Sequence, residues 1–252
     1  MPAALSVNIN KYALLRNSRG HAAPDLVKAV DVCLAAGAHG ITVHPRRDER
    51  HIRFDDVPVV KAHLDAHHPG VELNIECEPA PHILELVHAA RPAQCTLVPV
   101  KPGEVTSDHG WDLPARAQEL RAPVAALRSV GIRVSAFMDV DAPETALESA
   151  AALGIDRIEL YTGPYAWAWG TADQQAHVDA MFAVAERAAR HGLELNAGHD
   201  LDRHNLAGIR NLPGLLEVSI GHAQIVRALD VGTTQSVREL LHALGWPVPG
   251  LA

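Results

Sequence analysis

The chain has few of the features that mark secretion, structural metal sites or nucleic-acid binding. Its three cysteines, Cys33, Cys77 and Cys95, are widely spaced and odd in number. That excludes a CxxC zinc pattern and a disulfide framework, and predicts reduced, buried thiols. No segment approaches membrane-spanning length, and the opening Met1-Pro2-Ala3-Ala4-Leu5-Ser6 lacks the basic stretch and apolar run of a signal peptide. A cytoplasmic protein with no membrane partner is expected. A basic excess is also missing. The net charge of −8 argues against nucleic acid as a partner, because that needs a broad positive surface, and any anion site must be local. No Ser/Gly-rich linker or composition break interrupts the 252 residues, which predicts one domain over 1–252.

What is present is apolar residue in quantity, 48% of the chain, enough for a large core. Eight short segments rich in β-branched or apolar residues read as strands: 5–9, 39–44, 71–75, 94–98, 132–137, 156–160, 193–197 and 215–220. Between them, apolar spacings of three and four predict helices, for example over 24–36, 79–90, 114–129, 143–153 and 172–191. Gly37, Gly131, Gly154 and Gly192 fall where a left-handed cap would stop a helix before the next strand. Alternating β and α elements imply a parallel sheet, and eight repeats close into an α/β TIM barrel, (β/α)8. A doubly wound open sheet is the alternative, weakened because no GxGxxG turn follows the first strand.

Strand parity separates two faces. One is apolar: Val7 and Ile9, Ile41 and Val43, Leu73 and Ile75, Ile158 and Leu160, Val218 and Ile220. It should pack under the helices. The other is polar: Asn8 and Asn10, Thr42 and His44, Asn74 and Glu76, Ser135, Arg157 and Glu159, Glu194 and Asn196, Glu217 and Ser219. In a closed barrel that face points into the lumen, where buried charges must be paired. Arg157 with Glu194 or Glu217 is the expected pairing near the strand starts. At the carboxyl ends, where barrel enzymes work, His44, Glu76, Glu159 and His199 should gather. A carboxylate flanked by imidazoles suits proton transfer; the same trio would also suit a divalent metal.

Two anion sites are expected. Residues 44–51, His-Pro-Arg-Arg-Asp-Glu-Arg-His, and the first βα loop with Arg16, Arg19, Gly20 and His21 place up to five arginines on adjacent loops, suited to paired N–H donation to phosphate. The phrases Asn196-Ala197-Gly198-His199 and Ser219-Ile220-Gly221-His222 end strands seven and eight, where barrels commonly bind phosphate on backbone N–H groups and a helix N-terminus. Lys11 and Lys101, just past strand ends, keep a Schiff-base aldolase open as a rival. A non-catalytic sugar-phosphate binder is a third reading. The histidines His63, His67, His68 and His177 read as solvated helix-surface side chains, and the stretch Tyr165-Ala166-Trp167-Ala168-Trp169 reads as a subunit-packing surface or a cover over the site.

Taken in order, V-N-I at 7–9, L-R-N-S-R-G at 15–20, G-I-T-V-H at 40–44, D-E-R-H-I at 48–52, N-I-E at 74–76, L-V-P at 97–99, E-V-T at 104–106, N-A-G-H at 196–199 and I-G-H-A at 220–223 make the chain resemble the pyridoxine 5'-phosphate synthase family of vitamin B6 biosynthesis. The resemblance implies condensation of 3-amino-2-oxopropyl phosphate with 1-deoxy-D-xylulose 5-phosphate to pyridoxine 5'-phosphate, phosphate and water, with no metal or organic cofactor. It implies Glu76 as central acid/base with His44 and His199 as proton-transfer partners. Asn8, Asn10, Arg19, Arg46, His51, Thr106 and Glu159 would be substrate-binding residues, and Gly198, Gly221 and His222 would hold the product phosphate. It also implies a barrel with extra helices and a homo-oligomer, an octamer. The chain departs from the family at Asn8-Ile9-Asn10-Lys11, where many members read N-I-D-H. Asn10 keeps hydrogen-bonding groups but loses a charge and any base function.

Overall fold

The computed structural model describes residues 1–101 and 103–251. Eight strands form a closed, wholly parallel barrel in sequence order, each hydrogen-bonded to its chain neighbours and β8 to β1. They are β1 (Ala4–Asn8), β2 (Gly40–Val43), β3 (Glu72–Cys77), β4 (Gln94–Leu97), β5 (Arg133–Asp139), β6 (Arg157–Tyr161), β7 (Glu194–Gly198) and β8 (Leu215–Ile220). Every predicted strand is found, within one or two residues at each end.

The helices among the described residues are α1 (Asn10–Arg19), α2 (Leu26–Ala35), α3 (Asp56–His67), α4 (Pro81–Ala90), α5 (Leu113–Ser129), α6 (Glu144–Leu153), α7 (Gly163–Ala168), α8 (Gln174–Arg190), α9 (Leu206–Ile209), α10 (His222–Val231) and α11 (Thr233–Leu244). Two helices follow each of β1, β6 and β8, which accounts for the three beyond a simple eightfold repeat. Gly37, Gly131, Gly154 and Gly192 all take positive φ, and Gly154, at φ +79°, is the left-handed cap of α6.

The first βα connection differs from the sequence expectation. Residues 10–19 are a helix, so Arg16 and Arg19 lie on α1 and not on a loop. Its polar composition hides the period, but Tyr12, Ala13 and Arg16 recur at helical spacing after Ile9 and are all buried. The Asn8 side chain starts the turn by accepting the Asn10 N–H at 3.0 Å.

The apolar parity packs between sheet and helices, with Val7, Ile41, Ile75, Ile158 and Val218 fully buried. The polar parity fills the lumen as a bonded network. Ser6 and Thr42 share a hydroxyl bond of 2.6 Å, and Thr96 donates to Asn74 Oδ1 at 3.1 Å. Lower down, Gln94 Oε1 accepts from Arg133 Nε at 3.0 Å, Arg157 Nη1 at 3.3 Å and Asn196 Nδ2 at 3.3 Å. Arg157 pairs with Glu194 at 2.8 Å, one of the two expected partners, while Glu217 accepts from Asn196 at 3.4 Å. Arg133 pairs with Glu72, a second strand-start ion pair that parity had not singled out. The two arginines near the strand starts therefore each meet a carboxylate, as the cost of desolvation requires, while the Glu217 carboxyl has only the Asn196 amide beside it.

Candidate active site

The carboxyl ends of the strands surround a cavity of about 470 Å³ whose wall includes His44, Glu76, Glu159 and His199. Glu76 is second from the end of β3 and points into the lumen. Its carboxylate accepts from Asn8 Nδ2 at 3.4 Å to both oxygens and from Ser219 Oγ at 3.4 Å. These are long contacts from neutral donors, and His44 Nδ1 stands 3.3 Å from Oε2. The His44 backbone N–H is fixed by Asn10 Oδ1 at 2.9 Å, while its buried Nε2 has no partner among the described residues.

His199 approaches from the opposite wall. Its φ is +85° and that of Asp200 is +58°, two consecutive non-glycine residues in the left-handed region, a costly conformation that concentrates at functional sites. Thr162 Oγ1 holds the turn by donating to Gly198 O at 2.7 Å and His199 O at 2.5 Å. The ring is then set by Thr106 Oγ1, 3.0 Å from Nε2, by the edge of Tyr161 at 5.0 Å between centroids, and by Asp200 Oδ2, 3.3 Å from Nδ1. The nearby imidazole, with the Trp167 indole donating at 2.9 Å, holds Asp200 below the usual carboxylate range. Burial pushes the Tyr161 phenol up to about 12, so it stays protonated.

Glu159 is fully enclosed, and its Oε2 has no hydrogen-bond partner among the described residues. Burial first, then the neighbouring Glu76 and Glu217, raise it well above the carboxylate range. Burial thus favours the protonated form of Glu159, which faces the Glu76 carboxyl group across the mouth. Gly198 makes room for it, since a Cβ there would stand 2.3 Å from Glu159 Oε1. Gly221 does the same for β1, because a Cβ would meet Asn8 O at 2.8 Å. The N-terminus of α10 opens directly into the cavity through Gly221, His222 and Ala223, and no side chain caps it. Its free N–H groups and dipole suit a phosphate.

The arginine cluster is smaller than its sequence suggests. Arg46 and Arg50 line the cavity. Arg46 pairs with Glu104 at 2.8 Å, and Arg50 donates to the carbonyls of Glu104 and Val105 at 3.1 and 2.9 Å, so the loop after β2 grips the loop after β4. Arg16 is instead committed to Asp56 at 2.6 Å, Arg47 to Glu78 outside the cavity, and Arg19 is exposed at the end of α1, away from the wall. Lys11 lines the cavity, whereas Lys101 is exposed and does not. His51 is buried in the wall, where burial first and then His44 and Arg46 push it down to about 3. It is neutral and accepts from the Ile52 N–H at 2.9 Å.

Asn10, Thr106, Asn8 and His222 also reach the cavity. Asp200 and Glu104 were not expected. Adjacency to His199 was the only signal for Asp200, since the reversed φ takes it out of strand parity. Tyr165 and Trp169 pack on each other at 5.8 Å and against Gly208 of α9, so only Trp167 of the aromatic stretch is exposed. As to metal, the groups of three ligands whose donor atoms all lie within 4.8 Å are, among the described residues, Asp31/His63/His68 and Glu104/Asp108/His109; the donor atoms of His44, Glu76 and His199 are more widely spread.

A family model described as Pyridoxal phosphate biosynthesis protein PdxJ matches residues 5–245. The chain belongs to this family. A relative from Xanthomonas campestris pv. campestris (strain B100), named Pyridoxine 5'-phosphate synthase, is 51% identical over 249 residues, covering 96% of each chain. One of the same name from Albidiferax ferrireducens is 46% identical over 250 residues, covering 97% of this chain and 98% of that one. Among solved structures, Mycobacterium tuberculosis tryptophan synthase aligns with TM-score 0.66 at 14% identity over 96% of this chain and 94% of that one. Phosphoribosyl anthranilate isomerase from Thermus thermophilus aligns with TM-score 0.60 at 14% identity, over 96% and 98%. These two share the barrel fold with the family.

Proposed function

We propose that this PdxJ-family barrel is a pyridoxine 5'-phosphate synthase, joining 3-amino-2-oxopropyl phosphate to 1-deoxy-D-xylulose 5-phosphate with release of phosphate and water. The observation that carries the reading is the meeting of two carboxyl groups, Glu76 and the enclosed Glu159, with the imidazoles of His44 and His199 in one cavity, within a chain about half identical to enzymes of that name. Two phosphorylated substrates match two anion subsites, the open N-terminus of α10 with His222 and the Arg46/Arg50 side.

In this reading the amine of one substrate adds to the ketone of the other. Glu76 and His44, 3.3 Å apart, move protons on one wall while His199, set by Thr106 and Asp200, serves the other through dehydration, phosphate loss and ring closure. Glu159, whose burial favours the protonated form, donates a hydrogen bond to substrate oxygen, and Asn8 orients Glu76. Asn10 acts through His44, whose N–H it holds, and an amide oxygen does this as well as a carboxylate. Its substitution for Asp thus leaves the geometry around His44 intact. Lys11 adds a cation to the wall.

Incubating the pure protein with both substrates should yield pyridoxine 5'-phosphate and inorganic phosphate in equal amounts, read by chromatography and a phosphate assay. Binding without product would instead identify a sugar-phosphate binder, and borohydride trapping at Lys11 would identify a Schiff-base enzyme. No helix among the described residues is long and apolar enough to cross a membrane, which fits a cytoplasmic enzyme. Assembly into a homo-oligomer, an octamer by family resemblance, is supported by the exposed Leu15, Val226 and Leu229. Light scattering should give a mass several times that of one chain.

A further inference from the structure

Outside the mouth, two of the histidines that the sequence left as solvated side chains, His63 and His68, are only partly exposed and share one partner. Asp31 stands on α2, His63 on α3, and His68 just past the end of α3, where its backbone turns away at φ −134°, ψ 56°. The two Nε2 atoms converge on the same oxygen, Asp31 Oδ1, at 2.6 and 2.7 Å. The three side chains are 15%, 26% and 47% exposed for His63, His68 and Asp31, so the cluster is walled by the helices and open on one side. Asp31 Oδ2 makes no hydrogen bond among the described residues. His67, one turn after His63, packs its ring 4.7 Å from that of His63 and limits its rotation.

We propose that Asp31, His63 and His68 form a site for a divalent transition-metal ion that clamps α2 to α3 on the outside of the barrel. Their three donor atoms already lie within 4.8 Å of one another. Around a tetrahedral Zn²⁺, bond lengths near 2.1 Å set donor atoms roughly 3.4 Å apart, so each imidazole need withdraw from Asp31 by less than ~1 Å. Two imidazoles and one carboxylate favour Zn²⁺, Ni²⁺ or Cu²⁺ over the harder Mg²⁺ and Ca²⁺, and the open side leaves room for water to complete the coordination. The ion would replace the two hydrogen bonds that now join α3 to Asp31 of α2 with coordination bonds, and so stabilise the folded chain by mass action. The site is separate from the carboxyl-end cavity and does not depend on the catalytic reading.

The test is calorimetric titration of the metal-free full-length protein with Zn²⁺, alongside thermal unfolding. The proposal expects one high-affinity ion per chain, an unfolding midpoint raised by a few degrees and restored by chelator, and at least a tenfold loss of affinity in His63→Gln and in Asp31→Asn. His177→Gln, on α8, should bind as the parent does. Absence of stoichiometric binding overturns the proposal. So does wild-type affinity in both His63→Gln and Asp31→Asn, which would place the ion on other histidines.

Discussion

At the scale of single residues, the lumen's carboxylates set measurable pH behaviour. Burial raises Glu217 from 4.5 to about 7, against the opposing pull of Arg157. The folded chain then holds a proton that the unfolded chain gives up between those values. Glu217's contribution is thus full below pH 4.5 and is lost as pH rises toward 7, by about 3 kcal/mol from the size of the shift. His51 works in the opposite sense. Its depressed folded value, about 3 against 6.5, means that stability is lost as pH falls below 6.5. Glu217→Gln should therefore flatten the pH dependence above 4.5 relative to the parent in denaturant titrations. An unchanged slope would show that Glu217 is ionised throughout. Gly198→Ala forces a Cβ to within 2.3 Å of Glu159; the variant should fold yet lose at least tenfold in kcat, a loss that steady-state assays would reveal.

The elements around the mouth are tied by a few charged contacts, and these were the least legible in the sequence. The arginines of 16–19 and 46–50 looked like one clamp because only their proximity could be read. Arg16 is in fact tied to Asp56 at the first turn of α3, a pairing across 40 residues that no local pattern announces. Arg16→Ala should strand Asp56, release α1 from α3, and cost roughly 2 to 3 kcal/mol in chemical unfolding, with a smaller effect on turnover. Arg50→Ala removes the bonds from the loop after β2 to the carbonyls of Glu104 and Val105. It should raise KM several-fold more than it lowers kcat, because loop closure is affected while Glu76 is untouched. Equal effects on both constants would place Arg50 closer to the chemistry. Helix α1 was missed for a related reason: its buried Arg16 disguised an otherwise regular apolar period.

Over the whole molecule, the barrel was legible because strand parity repeats through eight strands, with four glycines (Gly37, Gly131, Gly154 and Gly192) marking helix ends before strands, and each repeat constrains the others. His44 and Glu76 were legible because lumen parity at the ends of β2 and β3 fixes their direction, whereas His199, just past β7 on the outward parity, was legible only from its place at the carboxyl end and turns inward through its positive φ. What parity cannot convey is how the chain turns after a strand. Positive φ at His199 and Asp200 brings Asp200, to which Trp167 donates, into the site wall, and a helix immediately after β1 carries Arg19 away from it. The central claim is that this cavity performs a condensation in which Glu76 moves protons. The decisive measurement compares Glu76→Gln with the parent for pyridoxine 5'-phosphate formation at saturating substrates, with substrate affinity measured by calorimetry. The account predicts a fall in kcat of about 100-fold or more with affinity little changed; a rate near that of the parent would contradict it.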